Sequence, residues 1–251
     1  MMRALLPIFL AVLAVAAPAF ADVELRYTPP KADGLATQVD IHDGRVRIVS
    51  PAQPDIILYE SAKHRFLILD THKKTFRVVD QQAVTDLRED IARVKRLAQA
   101  LPQSMRGLIH EHAPGVSALL EHPLPTATLA ATGASVTVGR YRCRTITASI
   151  NGGVGYGLCV TSASVLGIPK DDAQTLAAMA ADLRRLAGRN LTLKPDAEKL
   201  VLEQVGVPVK YVDLLHGQTL LLKNVGHDQM SDDRMRVPPD YEQQPLIDIF
   251  G

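Results

Sequence analysis

Tryptophan is missing from the 251 residues, and five Phe and six Tyr are the whole aromatic complement. Stacking of nucleobases or sugar rings needs flat aromatic platforms, so no such surface is expected. Charge of one sign is lacking too, with 28 Lys and Arg against 27 Asp and Glu. Nucleic-acid binding needs a basic surplus, and nucleic acid is not an expected partner. The patterns G-x-S-x-G, H-E-x-x-H, C-x-x-C and the Walker phosphate loop do not occur, which removes common signatures of hydrolytic, zinc, redox and nucleotide chemistry. Repeats and low-complexity tracts are likewise missing.

Long apolar runs are confined to the start of the chain. Residues 1–21 hold one charge at Arg3, an apolar run over 5–17 and Ala19-Phe20-Ala21 before Asp22. That is the order of a secretory signal peptide, and Pro7 and Pro18 interrupt what would otherwise resemble a membrane anchor. Cleavage before Asp22 is expected, leaving one domain over 22–251 that does not span a membrane and lies in the periplasm or is secreted. No Cys adjoins the cleavage point, so no lipid can be attached there. Loss of Arg3 would leave the mature chain formally neutral.

Short apolar runs at 46–49, 56–59, 66–69 and 76–79 alternate with turn-forming residues such as Asp43-Gly44 and Thr71-His72-Lys73-Lys74. The pattern predicts an antiparallel meander, with earlier strands at 23–27 and 39–42. Arg45-Val46-Arg47-Ile48 alternates charge and apolar residue, as in a strand with one wet face. Ile56-Ile57-Leu58-Tyr59 and Phe66-Leu67-Ile68-Leu69 do not alternate, which predicts strands covered on both sides. Val84, Leu87, Ile91, Val94, Ala98 and Leu101 fall at helical spacing among charges, predicting an amphipathic helix able to act as one cover.

His110, Glu111, His112, Glu121 and His122 contain ligand types that zinc uses, but on a helix His110 and His112 diverge, and no second cluster has zinc-type spacing. No metal or cofactor is expected. Further on, strand patterns recur at 126–131, 135–138, 140–150 and 156–161, with Asn151-Gly152-Gly153-Val154-Gly155 as a hairpin loop. The only two cysteines, Cys143 and Cys159, are symmetric about Asn151. Folding the hairpin there sets them opposite one another, and in an exported chain they should form a disulfide. Next comes a helix capped by Asp171 with Leu176, Met179, Leu183 and Leu186 as its stripe and Gly188 as its stop. A weakly helical stretch follows over 195–206, then strands at 209–215 and 218–225.

Together these elements predict an α+β fold, an antiparallel sheet with helices packed on it. Gly44-Arg45-Val46-Arg47-Ile48, Ile57-Leu58-Tyr59, Phe66-Leu67-Ile68-Leu69-Asp70 and Lys73-Lys74-Thr75-Phe76 resemble the strand cadence of secreted bacterial proteins of unknown function that share the fold of the lipoprotein carriers LolA and LolB. Gly139-Arg140-Tyr141-Arg142-Cys143 and Gly157-Leu158-Cys159-Val160 are similar to that family's cysteine-bearing hairpin. Gly206-Val207-Pro208-Val209 and Met235-Arg236-Val237-Pro238-Pro239-Asp240-Tyr241 resemble its final strand and closing Val-Pro-x-x-Tyr. The family usually carries a Trp in its hairpin strand, and this chain has none. The resemblance implies a curved antiparallel sheet, a half-barrel, with helices packed on its concave face, and it implies export and no catalytic residue.

The function expected is that of a non-enzymatic periplasmic binding or carrier protein for a lipid or other apolar ligand. Ile57, Tyr59, Phe66, Ile68, Leu87 and Ile91 are expected to line its cavity. The alternative is a cell-envelope structural or assembly protein that contacts another protein.

Overall fold

A computed structural model describes residues 22–30, 36–51, 53–101 and 125–246. Thirteen strands form one open, curved, mixed sheet. The first six are β1 (Val23–Thr28), β2 (Thr37–His42), β3 (Arg45–Val49), β4 (Asp55–Glu60), β5 (Arg65–Asp70) and β6 (Thr75–Val79). Helix α1 (Gln81–Ala100) follows, then β7 (Ala127–Val138), β8 (Tyr141–Ile150) and β9 (Gly153–Ser162). After α2 (Lys170–Ala187) come β10 (Leu191–Leu193) and α3 (Pro195–Glu198), which runs into a π-helical turn at Lys199–Glu203. The last strands are β11 (Gly206–Asp213), β12 (Gln218–Gly226) and β13 (Glu242–Gln244). Their order across the sheet is β10-β7-β8-β9-β11-β12-β1-β2-β3-β4-β5-β6-β13.

Described strand pairs are antiparallel except at the two edges, where three-residue β10 and β13 lie parallel to β7 and β6. The expectation of a purely antiparallel sheet is corrected on that point. Both edge strands are too short to show an alternation, and each is recruited from far along the chain.

Strand register lines residues up across the sheet. Val23, Ile41, Val46, Tyr59 and Phe66 form one row on the face beneath α2, and all but half-buried Phe66 are 1% exposed or less. The opposite face carries Leu58, Leu67 and Leu69, each 2% exposed and packed by Val237 and Tyr241 from the C-terminal segment. The non-alternating strands are thus covered on both sides, and the outer cover is that segment. It also corrects the wet face expected for β3. Asp40, fully buried, accepts from Arg47 at 3.2 Å and from Arg234 at 3.1 Å. His42 stands 2.6 Å from Asp22 and 2.9 Å from Asp232.

The α1 register follows the expected seam in outline. Asp80 caps the helix by accepting from the Ala83 N–H at 2.8 Å. Ala98 is its one buried residue, while Leu87 and Ile91 are half-buried. In α2 the cap position belongs to Pro169, and Asp171 sits inside the first turn, where an acidic side chain still suits the helix dipole. The expected stripe is corrected as well: Leu183 is 54% exposed, and Thr175, Asp182 and Leu186 are the buried positions.

Cys143 and Cys159 are bonded, with Cα atoms 5.4 Å apart. The hairpin turn is tighter than expected, because Asn151 and Gly152 alone make it, both at positive φ, as a two-residue hairpin requires. Gly153–Ser162 is all strand, and a bulge after Ala148 leaves Gly155 unpaired. Cys159 therefore faces Thr145, and its disulfide partner is two residues along the neighbouring strand. Closing this loop is worth about 3 kcal/mol by chain entropy. Residues 1–21 and the cluster around His110 and His122 lie outside the described residues. Among the described residues no helix is long and apolar enough to cross a membrane.

Candidate ligand pocket

A second cross-strand row lies beside the buried one. Leu25 pairs with Val39, Val39 with Ile48, Ile48 with Ile57 and Ile57 with Ile68. Period-two alternation puts all five on the helix-covered face. Above Leu25, Val39 and Ile48 the cover stands away from the sheet, leaving a pocket of about 270 Å3. Leu176, Met179 and Ala180 of α2 form one wall, Val201, Val205 and Gly206 another, and Val207, Pro208, Tyr211 and Leu220 close it from β11 and β12. Tyr27 and Thr37, paired across β1 and β2, complete the lining. No charged residue is among them.

Local structure fixes the second wall. Val205 has φ 46°, a left-handed conformation that is rare and costly for a β-branched residue. Its carbonyl accepts from the Ala163 N–H at 3.1 Å. At Gly206 a Cβ would meet the Leu200 carbonyl oxygen at 2.6 Å, so only glycine lets the chain turn there into β11.

The first wall is held by a buried polar contact. Tyr59 donates to Asp182 Oδ2 at 2.8 Å, His64 Nδ1 lies 2.9 Å from the same oxygen, and Arg185 donates to Oδ1 at 3.1 Å. Burial acts to raise the Asp182 carboxyl, but the bonds from Tyr59, His64 and Arg185 outweigh it and hold it below the usual range.

Polar groups in the pocket are few. Burial alone pushes the Tyr27 hydroxyl well above the ordinary phenol range. Burial, then the charge of Asp213, pushes the Tyr211 hydroxyl up to about 12, and the Tyr211 ring stacks on Tyr156 with centroids 5.6 Å apart. Thr37 is hydrogen-bonded to Ser50 at 3.1 Å.

None of the six residues expected to line a cavity lines this pocket. Tyr59 is buried under α2 with its ring 4.9 Å from that of Phe66. Ile57 and Ile68 continue the floor row beyond the pocket, half-buried. Leu87 lines a separate cleft of about 410 Å3 between α1 and the C-terminal segment, with Asp80, Asp86, Asp90, Gln243 and Leu246 among its other residues. Ile91 is half-buried one turn further along α1. The floor row was open to sequence reasoning through alternation in β1, β2 and β3, whereas Val201 and Val205 carried no signal of their position. Among the described residues no group of three or more His, Cys, Asp or Glu is placed to hold a metal ion.

No protein-family model matches the chain, and no curated protein matches it. Among solved structures it is similar to an uncharacterized conserved protein from Thermus thermophilus, at 9% identity and a TM-score of 0.38, over 90% of this chain and 91% of that one. It is also similar to PNGF-II in two crystal forms, at 8% identity and a TM-score of 0.43. There it covers 92% and 91% of this chain but spans 32% of the PNGF-II chain.

Proposed function

We propose that this protein is a non-enzymatic binding or carrier protein of the bacterial periplasm, or secreted, that holds a lipid or similar apolar ligand between its sheet and its helices. On this reading the sheet is a LolA/LolB-like half-barrel with α2 and α3 on its concave face, and residues 1–21 are removed on export. The observation that carries the reading is the uncharged, mostly apolar pocket of about 270 Å3. It is a half-open cleft, and its apolar lining stays in contact with water until something covers it, so burying an apolar chain there gains free energy. The volume is just below the roughly 300–1,000 Å3 usual for ligand pockets, which suits one slim chain. The Cys143–Cys159 bond agrees with an oxidising compartment.

Titration with a fluorescent fatty-acid probe, displacement by envelope lipids and solvent extraction of co-purified material test the reading. Micromolar binding, about −8 kcal/mol, is expected, and Ala180→Trp, which places a ring in the pocket, should abolish it. No probe binding and no co-purified lipid would overturn the reading. A second reading, an envelope assembly protein, draws on exposed Val154, Leu214 and Leu215 at one end of the sheet. The Leu214 N–H donates to the Gly155 carbonyl at 3.0 Å, so the two strand ends sit together. Exposed apolar patches of this kind mark contact surfaces.

A further inference from the structure

Tyr27 lines the pocket, is 7% exposed, and its hydroxyl has no hydrogen-bond partner among the described residues. Buried hydroxyls are ordinarily paired, because leaving one unpaired costs free energy. The fully enclosed unpaired side-chain atoms among the described residues are Thr75 Oγ1 and Arg77 Nε. The Tyr27 oxygen is not one of them and so keeps some accessible surface, and the pocket is the opening that Tyr27 lines. Its neighbour Thr37 is already engaged with Ser50, and the side chains of Leu25, Val39 and Ile48 offer no polar partner.

We infer that Tyr27 is the specificity-determining donor of this pocket and selects an apolar ligand bearing one uncharged acceptor, an ester or ketone carbonyl, over a bare hydrocarbon and over a carboxylate. The inference rests on the apolar-ligand reading and adds the ligand's polar group to it. A carbonyl accepts the one proton Tyr27 can donate and asks for nothing more. A carboxylate at the same place would be buried without a cation, since no Lys, Arg or His lines the pocket, and an unpaired buried charge is far costlier than a neutral acceptor. A hydrocarbon would leave the phenol unpaired.

Displacement of the bound fluorescent probe by methyl octanoate, n-decane and octanoate, on wild-type, Tyr27→Phe and Tyr211→Phe protein, tests this. Relative to decane, the ester should bind the wild type about three- to tenfold tighter than it binds Tyr27→Phe, the value of one net hydrogen bond. Decane should bind Tyr27→Phe as it binds the wild type, and an ester loss seen in Tyr211→Phe instead would assign the donor to Tyr211 and overturn the inference. Octanoate should bind more weakly than its ester and be indifferent to Tyr27→Phe. As a reading that needs no variant, the ester carbonyl infrared band should move to lower frequency on binding the wild type, as a hydrogen-bonded carbonyl does. An ester affinity, relative to decane, that survives Tyr27→Phe, an unshifted carbonyl band, or Tyr27-dependent binding of octanoate would each overturn the inference while leaving the apolar pocket standing. If neither the probe nor any of the three compounds binds, the carrier reading fails and the inference falls with it.

Discussion

Replacing Tyr59 by Phe deletes one oxygen, and the surroundings of that oxygen set the cost. Tyr59 is 1% exposed, Asp182 is 6% exposed, and their 2.8 Å bond ties β4 to α2 out of reach of bulk water. A hydrogen bond to a charged group is worth about 1.5–3 kcal/mol. Asp182 keeps His64 and Arg185 in the variant, so the loss falls in the lower part of that range, about 1.5–2 kcal/mol. For a chain of this size, that lowers Tm by about 3–8 °C. Asp182→Ala should cost more, about 3 kcal/mol, because it strands the Tyr59 hydroxyl in a buried site and unpairs Arg185. The sign of the pH dependence follows from a carboxyl that folding lowers. Its contribution is fully present above the unfolded value near pH 4 and is lost as pH falls through the folded value. The gap between wild type and Asp182→Ala should therefore narrow below about pH 4. Urea unfolding at pH 7 with thermal melts down to pH 3 measures both effects. A Tyr59→Phe protein within about 0.5 kcal/mol of wild type, or an Asp182→Ala protein milder than Tyr59→Phe, would refute the reasoning.

Asp172 should show the opposite pH sign. Burial first, then the charges of Asp22 and Asp171, push its carboxyl up to about 6, so stability is lost as pH rises from about 4 through 6. Asp172→Asn should match wild type at pH 4 and exceed it at pH 8 by about 1 kcal/mol after allowance for solvent screening; denaturant titrations at both values check this. On α2, Leu186→Ser should be destabilising by about 2–4 kcal/mol in chemical unfolding, whereas Leu183→Ser, on the exposed face, should stay within about 0.5 kcal/mol. Equal losses for the two would mean that the helix is rotated from the placement described.

Elements with a local signature were legible in the sequence. Asp43-Gly44 has both residues at positive φ, as a tight turn between two strands demands, and β1 to β6 begin and end within a residue or two of the short apolar runs that mark them. What depended on distant partners was hidden. Leu183 belongs to the apolar stripe by spacing, yet α2 turns Asp182 inward because Tyr59, 123 residues away, supplies its hydrogen bond. Hydropathy counts that Asp as a surface residue. The cysteine pairing followed from symmetry about Asn151, but the bulge at Gly155 shifts the register. Strands β10 and β13 offer three residues each, too few for any period to show.

The same contrast explains why the pocket lies over Leu25, Val39 and Ile48 and not over Ile57, Tyr59, Phe66 and Ile68. A helix free to settle would sink onto the sheet until its side chains met both cross-strand rows, since close packing is the favoured end state. This one is not free. Asp182 holds α2 above Tyr59 in the first row, and Ala163, Leu166 and Ile168 pack into the same buried cluster just before its start. Fixed over the first row, α2 reaches the second only through Leu176, Met179 and Ala180. On the other side, the left-handed Val205 and the contact at Gly206 set how near the 201–206 turn can come. Two supports, one a buried hydrogen bond and one a constrained turn, thus stand on either side of a floor that neither can cover. The space between them follows from where the supports are placed, so filling it with a larger side chain should disturb binding before it disturbs the fold.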